Sequence, residues 1–236
     1  MKGPSAATQD RSAQLLLAFW LLLGLLGAVL PHAPLLLVAV EHDLIALAAV
    51  LLLSLLVGVP LGALAGSGPR WVDASLAFTT DWIAAVPVVL LLAFVRPAGV
   101  SPLGALVLLG LLRSLEVGWV VRSALLRAAV LDTTWAARSL GYMPLAVFLN
   151  RRLPAAAGPA LAHLAVTPLW TFLLDSVGTA AGLGAATSEQ SLGALVARPG
   201  STPAASALAI FAVVSLTWAL HRLGQQYGLR LARKWQ

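Results

Sequence analysis

Long apolar runs, broken by short polar or glycine- and proline-bearing stretches, follow one another along most of the chain. Six of them reach or approach the ~20 residues a helix needs to cross a bilayer core. They fall at about Ala13–Leu30, Leu44–Ala65, Trp82–Val95, Leu103–Val121, Ala160–Ala181 and Ala204–Leu220. The third is short, and reaches full length only by drawing on Leu76–Asp81 or on the Pro97–Val100 turn. Period-two alternation is absent, and backbone groups facing lipid must pair internally, so the pattern predicts helices and not a barrel. The expected fold class is therefore all-α, a polytopic membrane protein of about six transmembrane helices, with residues 1–236 forming one transmembrane domain.

Composition removes the soluble alternative. Apolar residues make up 60% of the chain and charged residues only 10%, against about 45–50% and 25% in soluble domains. With no cysteine, disulfides, thiolate metal sites, iron–sulfur clusters and a cysteine nucleophile are excluded. The first run follows Lys2 and Arg11 and precedes Pro31-His32-Ala33. At about 18 residues it exceeds the 7–15 of a signal peptide and lacks a well-formed cleavage site, so it is expected to stay as a span.

The net charge of +6 would point to nucleic acid in a soluble domain. Here its distribution gives another reading. With the amino terminus in the cytoplasm, the inner segments hold Lys2, Arg11, Arg70, Arg122, Arg127, Arg138, Arg151, Arg152, Arg222, Arg230, Arg233 and Lys234. Only Arg96 and Arg198 lie outside, and Arg113 falls within a span. That asymmetry is the positive-inside pattern, so both termini are expected in the cytoplasm and the lipid bilayer, not nucleic acid, is the partner.

Among the inner segments, the stretch from Arg122 to Pro154 is the long one, too polar to span and too regular to be a linker. Asp132 is expected to cap a helix over Thr133–Leu140, with Gly141 as its C′ residue, since glycine takes positive φ without a Cβ penalty. Pro144 suits the first turn of a second helix, where a missing N–H costs nothing. That helix, Pro144 to about Arg152, places Leu145, Phe148 and Leu149 on one face, and Pro154 opens the approach to the fifth span. Two readings fit such a hairpin: an anchor lying among lipid headgroups, or a rigid docking element for a soluble partner.

At these residues the sequence resembles the integral permease subunits of binding-protein-dependent ABC importers. Their cytoplasmic loop has the form E-A-A, three residues, G, nine residues, I-x-L-P. Here Ala136-Ala137 precede Arg138, Ser139, Leu140 and Gly141, and Arg151-Arg152 precede Leu153-Pro154 at the same spacing. Trp135 stands where the family has Glu, and Arg151 where it has Ile. The C-type subunits of the dipeptide, oligopeptide and nickel branch are similar in further patterns: Leu61-Gly62, Ala65-Gly66, Trp71 and Asp73; Pro87 with its leucines; Gly182-Leu183-Gly184 with Leu192-Gly193; and Gly228-Leu229-Arg230. The resemblance implies the type I importer permease fold in a bacterial inner membrane. It also implies two permease subunits, the second a different chain, two ATPase subunits that carry the ATP and Mg, and an external solute-binding protein. No cofactor is expected in this chain, which has no G-x-x-x-x-G-K-[ST]. The solute implied is a small peptide-like molecule or a metal complex. Ala136, Ala137, Gly141, Pro144, Leu145, Phe148, Leu153 and Pro154 would form the ATPase-coupling loop.

Charges inside spans mark functional positions by default. Arg113 and Glu116 share a helix face three residues apart and can pair, either as an internal ion pair or as a lining of the translocation path. His163 is expected to hydrogen-bond between helices. Asp175 is read as a headgroup contact, and His32, His42 and Asp43 as residues of an outer loop. No metal site is expected from them. The run Ala155–Ala165 with Gly158 reads as close helix packing, and Trp20, Trp71 and Trp218 as interfacial anchors. An intramembrane enzyme would need a catalytic constellation, and neither G-x-S-x-G nor H-E-x-x-H occurs, so no catalytic residue is assigned. A self-contained carrier would need an internal repeat between its halves, and none is visible. A permease-like scaffold without transport is the other alternative, kept open by Trp135 and Arg151.

Overall fold

The computed structural model describes residues 6–29, 35–86, 90–91, 98–171, 191–197 and 203–235. Most of these are helical, and no strand occurs among them. In chain order the helices are α1 (Ala6–Val29), α2 (Leu35–Ser67), α3 (Arg70–Ala85), α4 (Pro102–Ala129), α5 (Asp132–Ser139) and α6 (Pro144–Val147). A π turn (Phe148–Arg152) leads into α7 (Leu153–Leu164), and α8 (Leu192–Ala197) and α9 (Pro203–Trp235) follow. Among the described residues, three helical segments are long and apolar enough to cross a membrane: Leu35–Ser67, Gly104–Ala129 and Pro203–Leu231. Arg11–Leu26 is a shorter apolar helix. Much of the predicted third and fifth spans, together with Pro87, Asp175 and Gly182-Leu183-Gly184, lies outside the described residues.

Helix ends correct several expectations. Helix α2 starts nine residues before the predicted span, so His42 and Asp43 are helical and not loop residues. Hydropathy stops at Glu41-His42-Asp43, but hydrogen bonding of the backbone does not. In the same way α4 runs on through Arg122 and Arg127 to Ala129, so the separate elements of the polar hairpin begin only at Asp132.

The chain divides into two compact units, each assembled from three sequence segments. The first comprises residues 1–51, 86–109 and 165–223. Its core joins Trp20 of α1, Ala39 and Val40 of α2, Leu192 and Leu195 of α8, and Ala209, Ala212 and Leu216 of α9. Trp20 is buried, and its indole N–H donates to Ser215 Oγ at 2.9 Å, so it is a packing residue and not an interfacial anchor. Asp43 is 5% exposed, and its carboxylate accepts the Leu192 N–H at 3.0 Å. Ser191 Oγ accepts the Ala194 N–H. Those two oxygens satisfy orphan donors at the start of α8.

The second unit comprises residues 52–85, 110–164 and 224–236. Where lipid replaces water, the hydrophobic drive between helices is absent, and close approach of small residues takes its place. Gly58, Gly62 and Gly66 recur every fourth residue along α2, and they meet Ser114, Gly118 and Arg122 at the same interval on α4. A Cβ on Gly62 would stand 2.3 Å from the Gly118 carbonyl oxygen, so the two backbones touch there. Gly228 of α9 likewise sits against the Gly158 carbonyl of α7, as the alanine-rich run anticipates.

Candidate functional site

The second unit holds two polar arrangements. The first is the hairpin of α5 and α6. Leu131, not Asp132, occupies the N-cap of α5, and Asp132 lies one position inside, in the first turn. Thr134 is buried, and its hydroxyl donates to the Ala128 carbonyl at 2.7 Å, tying the start of α5 to the end of α4. The exit is closed as the sequence predicts. The Gly141 N–H bonds to the Arg138 carbonyl, and the Tyr142 N–H reaches back to that of Ala137, with Gly141 at φ +81°. This is a Schellman motif, which pairs the last carbonyls of a helix through a left-handed residue.

Met143 caps α6 and Pro144 is its first residue. Predicted to end at about Arg152, the helix instead continues through the π turn into α7, so Pro154 lies inside it. Proline offers no N–H to the carbonyl four residues back and crowds it; the wider π turn just before Pro154 relieves both effects. Leu153 and Pro154 are half-buried at the head of α7. Tyr142, Met143, Pro144, Leu145 and Leu149 are exposed, Phe148 is half-buried, and Val147 is the inward residue. Of the remaining positions, Ala136 is exposed and Ala137 buried.

Arg152 secures this hairpin from behind. Its guanidinium donates to the Gly66 carbonyl at 2.9 Å and to the Leu125 carbonyl at 3.3 Å, spanning the ends of α2 and α4. Burial, and then the nearby Arg138 charge, lower its pKa from the usual arginine value. Arg122 forms a two-pronged pair with Asp73 of α3 and lies over the Trp119 ring at 4.6 Å. Hydrogen bonding to Arg122 holds the Asp73 carboxyl below the ordinary aspartate range. Sequence reading counted Arg152 and Arg122 only as inner charges, because their partners are distant in the chain.

The second arrangement lies in α4 and α7. Arg113 is 6% exposed, and its guanidinium donates to both Glu116 oxygens at 2.7 and 2.6 Å. His163 of α7 brings Nε2 to 3.5 Å from Glu116 Oε2. The pair foreseen on one helix face is thus part of a three-residue cluster across two helices, in which Glu116 is shared by a guanidinium and an imidazole. Glu116 and His163 remain partly accessible.

Residues 58–227 match the family described as binding-protein-dependent transport system inner membrane component. The match covers more than two thirds of the chain and includes the α2–α4 contact, the hairpin and the charged cluster. The chain belongs to that family. It is an ABC importer permease component, a transport subunit embedded in the membrane. A search of the curated proteins returned no match. In a permease, a hairpin with a fixed turn and an exposed apolar tip is suited to contact with a soluble protein. A buried arginine paired with a partly accessible carboxylate is suited to a position beside a polar path.

Proposed function

We propose that the chain forms half of the translocation pathway of an ABC importer and couples it to separate ATPase subunits through the α5–α6 hairpin. The pathway would carry a small peptide-like solute or a metal complex, with a different permease chain completing it and an external binding protein delivering the solute. Six spans with both termini in the cytoplasm put the hairpin on the side where ATP is available. Two ATPases supply ATP and Mg; this chain supplies the mechanical contact. The observation that carries the reading is the hairpin itself: a Schellman turn at Gly141 followed by an exposed apolar tip at Tyr142, Met143, Leu145 and Leu149. A helix displaced at that tip moves as a rod, whereas a flexible loop would absorb the displacement. The small-residue, aspartate and glycine patterns that resemble the dipeptide, oligopeptide and nickel branch support the solute class.

The test is recovery of partners on the tagged full chain in gentle detergent, with subunits identified by mass spectrometry. Wild type is expected to bring down an ATPase and a second permease. Gly141→Val should lower ATPase recovery severalfold, because a β-branched residue at φ +81° strains the turn although no atom lies within 4 Å of the added Cβ. Gly141→Asn, which tolerates that region, should retain most of it. Recovery of the chain alone, indifferent to both substitutions, would sink the proposal and favour the headgroup-anchored hairpin.

A further inference from the structure

Between α5 and α6 lies a cleft of about 400 Å³, lined by Ala137, Tyr142, Ala146, Val147, Asn150 and Arg151. Its floor is apolar, Val147 and Ala137 being buried, and its rim carries a phenol, an amide and a guanidinium. Arg151 is the one charged residue of its lining. Arg138 lies over the Trp135 ring at 5.8 Å, and Arg152 donates to the Gly66 and Leu125 carbonyls. Among the described residues no carboxylate pairs with Arg151, which is exposed at the rim. An unpaired guanidinium beside an amide in a recess offers a planar fork and a further donor, the geometry that suits a carboxylate.

Resting on the docking reading above, we propose that this cleft receives an acidic side chain of the partner ATPase, and that Arg151 determines which ATPase is accepted. Charge complementarity selects the occupant. A partner presenting Asp or Glu gains a charge-assisted pair, and one presenting Lys or Arg meets the like charge of Arg151, which disfavours it. The concave shape and the fixed turn at Gly141 fit a protruding side chain of a protein better than a lipid headgroup layer, which asks only for a convex amphipathic face.

The chain has no cysteine, so Ala146→Cys labelled with a photo-crosslinker places a unique probe in the cleft. The experiment uses the full chain in nanodiscs of phosphatidylcholine, with or without phosphatidylglycerol, and the ATPase subunit recovered with wild type. The expected crosslink is to an ATPase peptide containing Asp or Glu. Arg151→Glu is expected to weaken ATPase binding about tenfold, corresponding to roughly 1.4 kcal/mol. Arg151→Gln should fall between, and changing the crosslinked carboxylate to Arg should restore binding to the Arg151→Glu chain. An unchanged elution profile and melting midpoint for Arg151→Gln keeps the result free of a folding defect. ATPase binding by wild type that is indifferent to both Arg151 variants would overturn this proposal and leave the docking reading standing. Crosslinks to lipid, with an Arg151 effect confined to phosphatidylglycerol discs, would overturn it in favour of a headgroup contact. Failure of wild type to bind any ATPase would overturn the docking reading and this proposal together.

Discussion

Arg152 shows how much one side chain can fix. It reaches the Gly66 carbonyl in the last turn of α2 and the Leu125 carbonyl of α4, and it does so from the π turn, where the chain has just left the hairpin. The last four carbonyls of a helix, Gly66 among them, lack intrahelical partners, so removing the donor leaves a cost in the folded state. Arg152→Met is expected to destabilise the purified chain by about 1–3 kcal/mol, the penalty of unsatisfied buried acceptors. Arg152→Lys should recover part of it, the comparison being read from melting midpoints in detergent. Asp73 offers a pH test at the same scale. Its carboxyl is held below its ordinary value of 3.8 by Arg122, so its contribution is complete above that value and is lost as pH falls through the lower, folded one. The Arg122 pair is only partly buried and contributes roughly 1 kcal/mol or less. The melting difference between wild type and Asp73→Asn should therefore be visible near neutral pH and shrink towards pH ~3. A difference that stays constant would show that Asp73 acts by packing and not by charge.

At the scale of the elements, periodicity and turn chemistry were legible and tertiary pairing was not. Gly141 and Pro144 announced the hairpin because each residue type answers a local backbone requirement. Helix limits were missed for the opposite reason. Glu41, Asp43, Arg122 and Arg127 end apolar runs, but a charged side chain does not end a hydrogen-bonded helix when it finds a partner, as Asp43 does at Leu192 and Arg122 at Asp73. The glycines of α2 were visible as a pattern, yet only the fold shows what they touch. Gly62 is the tightest of them, its added Cβ falling 2.3 Å from the Gly118 oxygen, while that of Gly66 meets Leu125 Cβ at 3.0 Å. Gly62→Ala should thus cost more than Gly66→Ala despite alanine's better helix propensity. Overpacking of about 1–3 kcal/mol is expected at Gly62, read as a lower melting midpoint and poorer yield of folded protein. Equal, small effects at both positions would mean that α2 and α4 separate easily.

The largest scale joins the hairpin to the charged cluster. From Pro144 to Leu164 the backbone is helical without interruption, through the π turn, so the exposed tip and His163 belong to one body. At 1.5 Å per residue that body is roughly 30 Å long. None of this was readable from the motif, which ends at Pro154; the link appears only because the helix does not stop there. On the proposed coupling, a displacement of the tip would reach the contact between His163 and Glu116, while Arg113 keeps Glu116 tied to its own helix. Two positions of α7 would then differ in whether Glu116 keeps its imidazole neighbour beside the Arg113 guanidinium. Coupling needs such a differential interaction, since equal contacts in both states shift no equilibrium. Glu116→Gln removes the carboxylate that both neighbours contact, and with it the difference between the two positions. The expected outcome is a purified complex that retains its ATPase subunits at wild-type stoichiometry yet shows a basal ATP hydrolysis rate altered at least threefold in proteoliposomes. His163→Gln should move the rate in the same direction and less far. Loss of subunits would place the cluster in assembly, and an unchanged rate in both variants would reduce it to an ion pair that only holds α4 against α7.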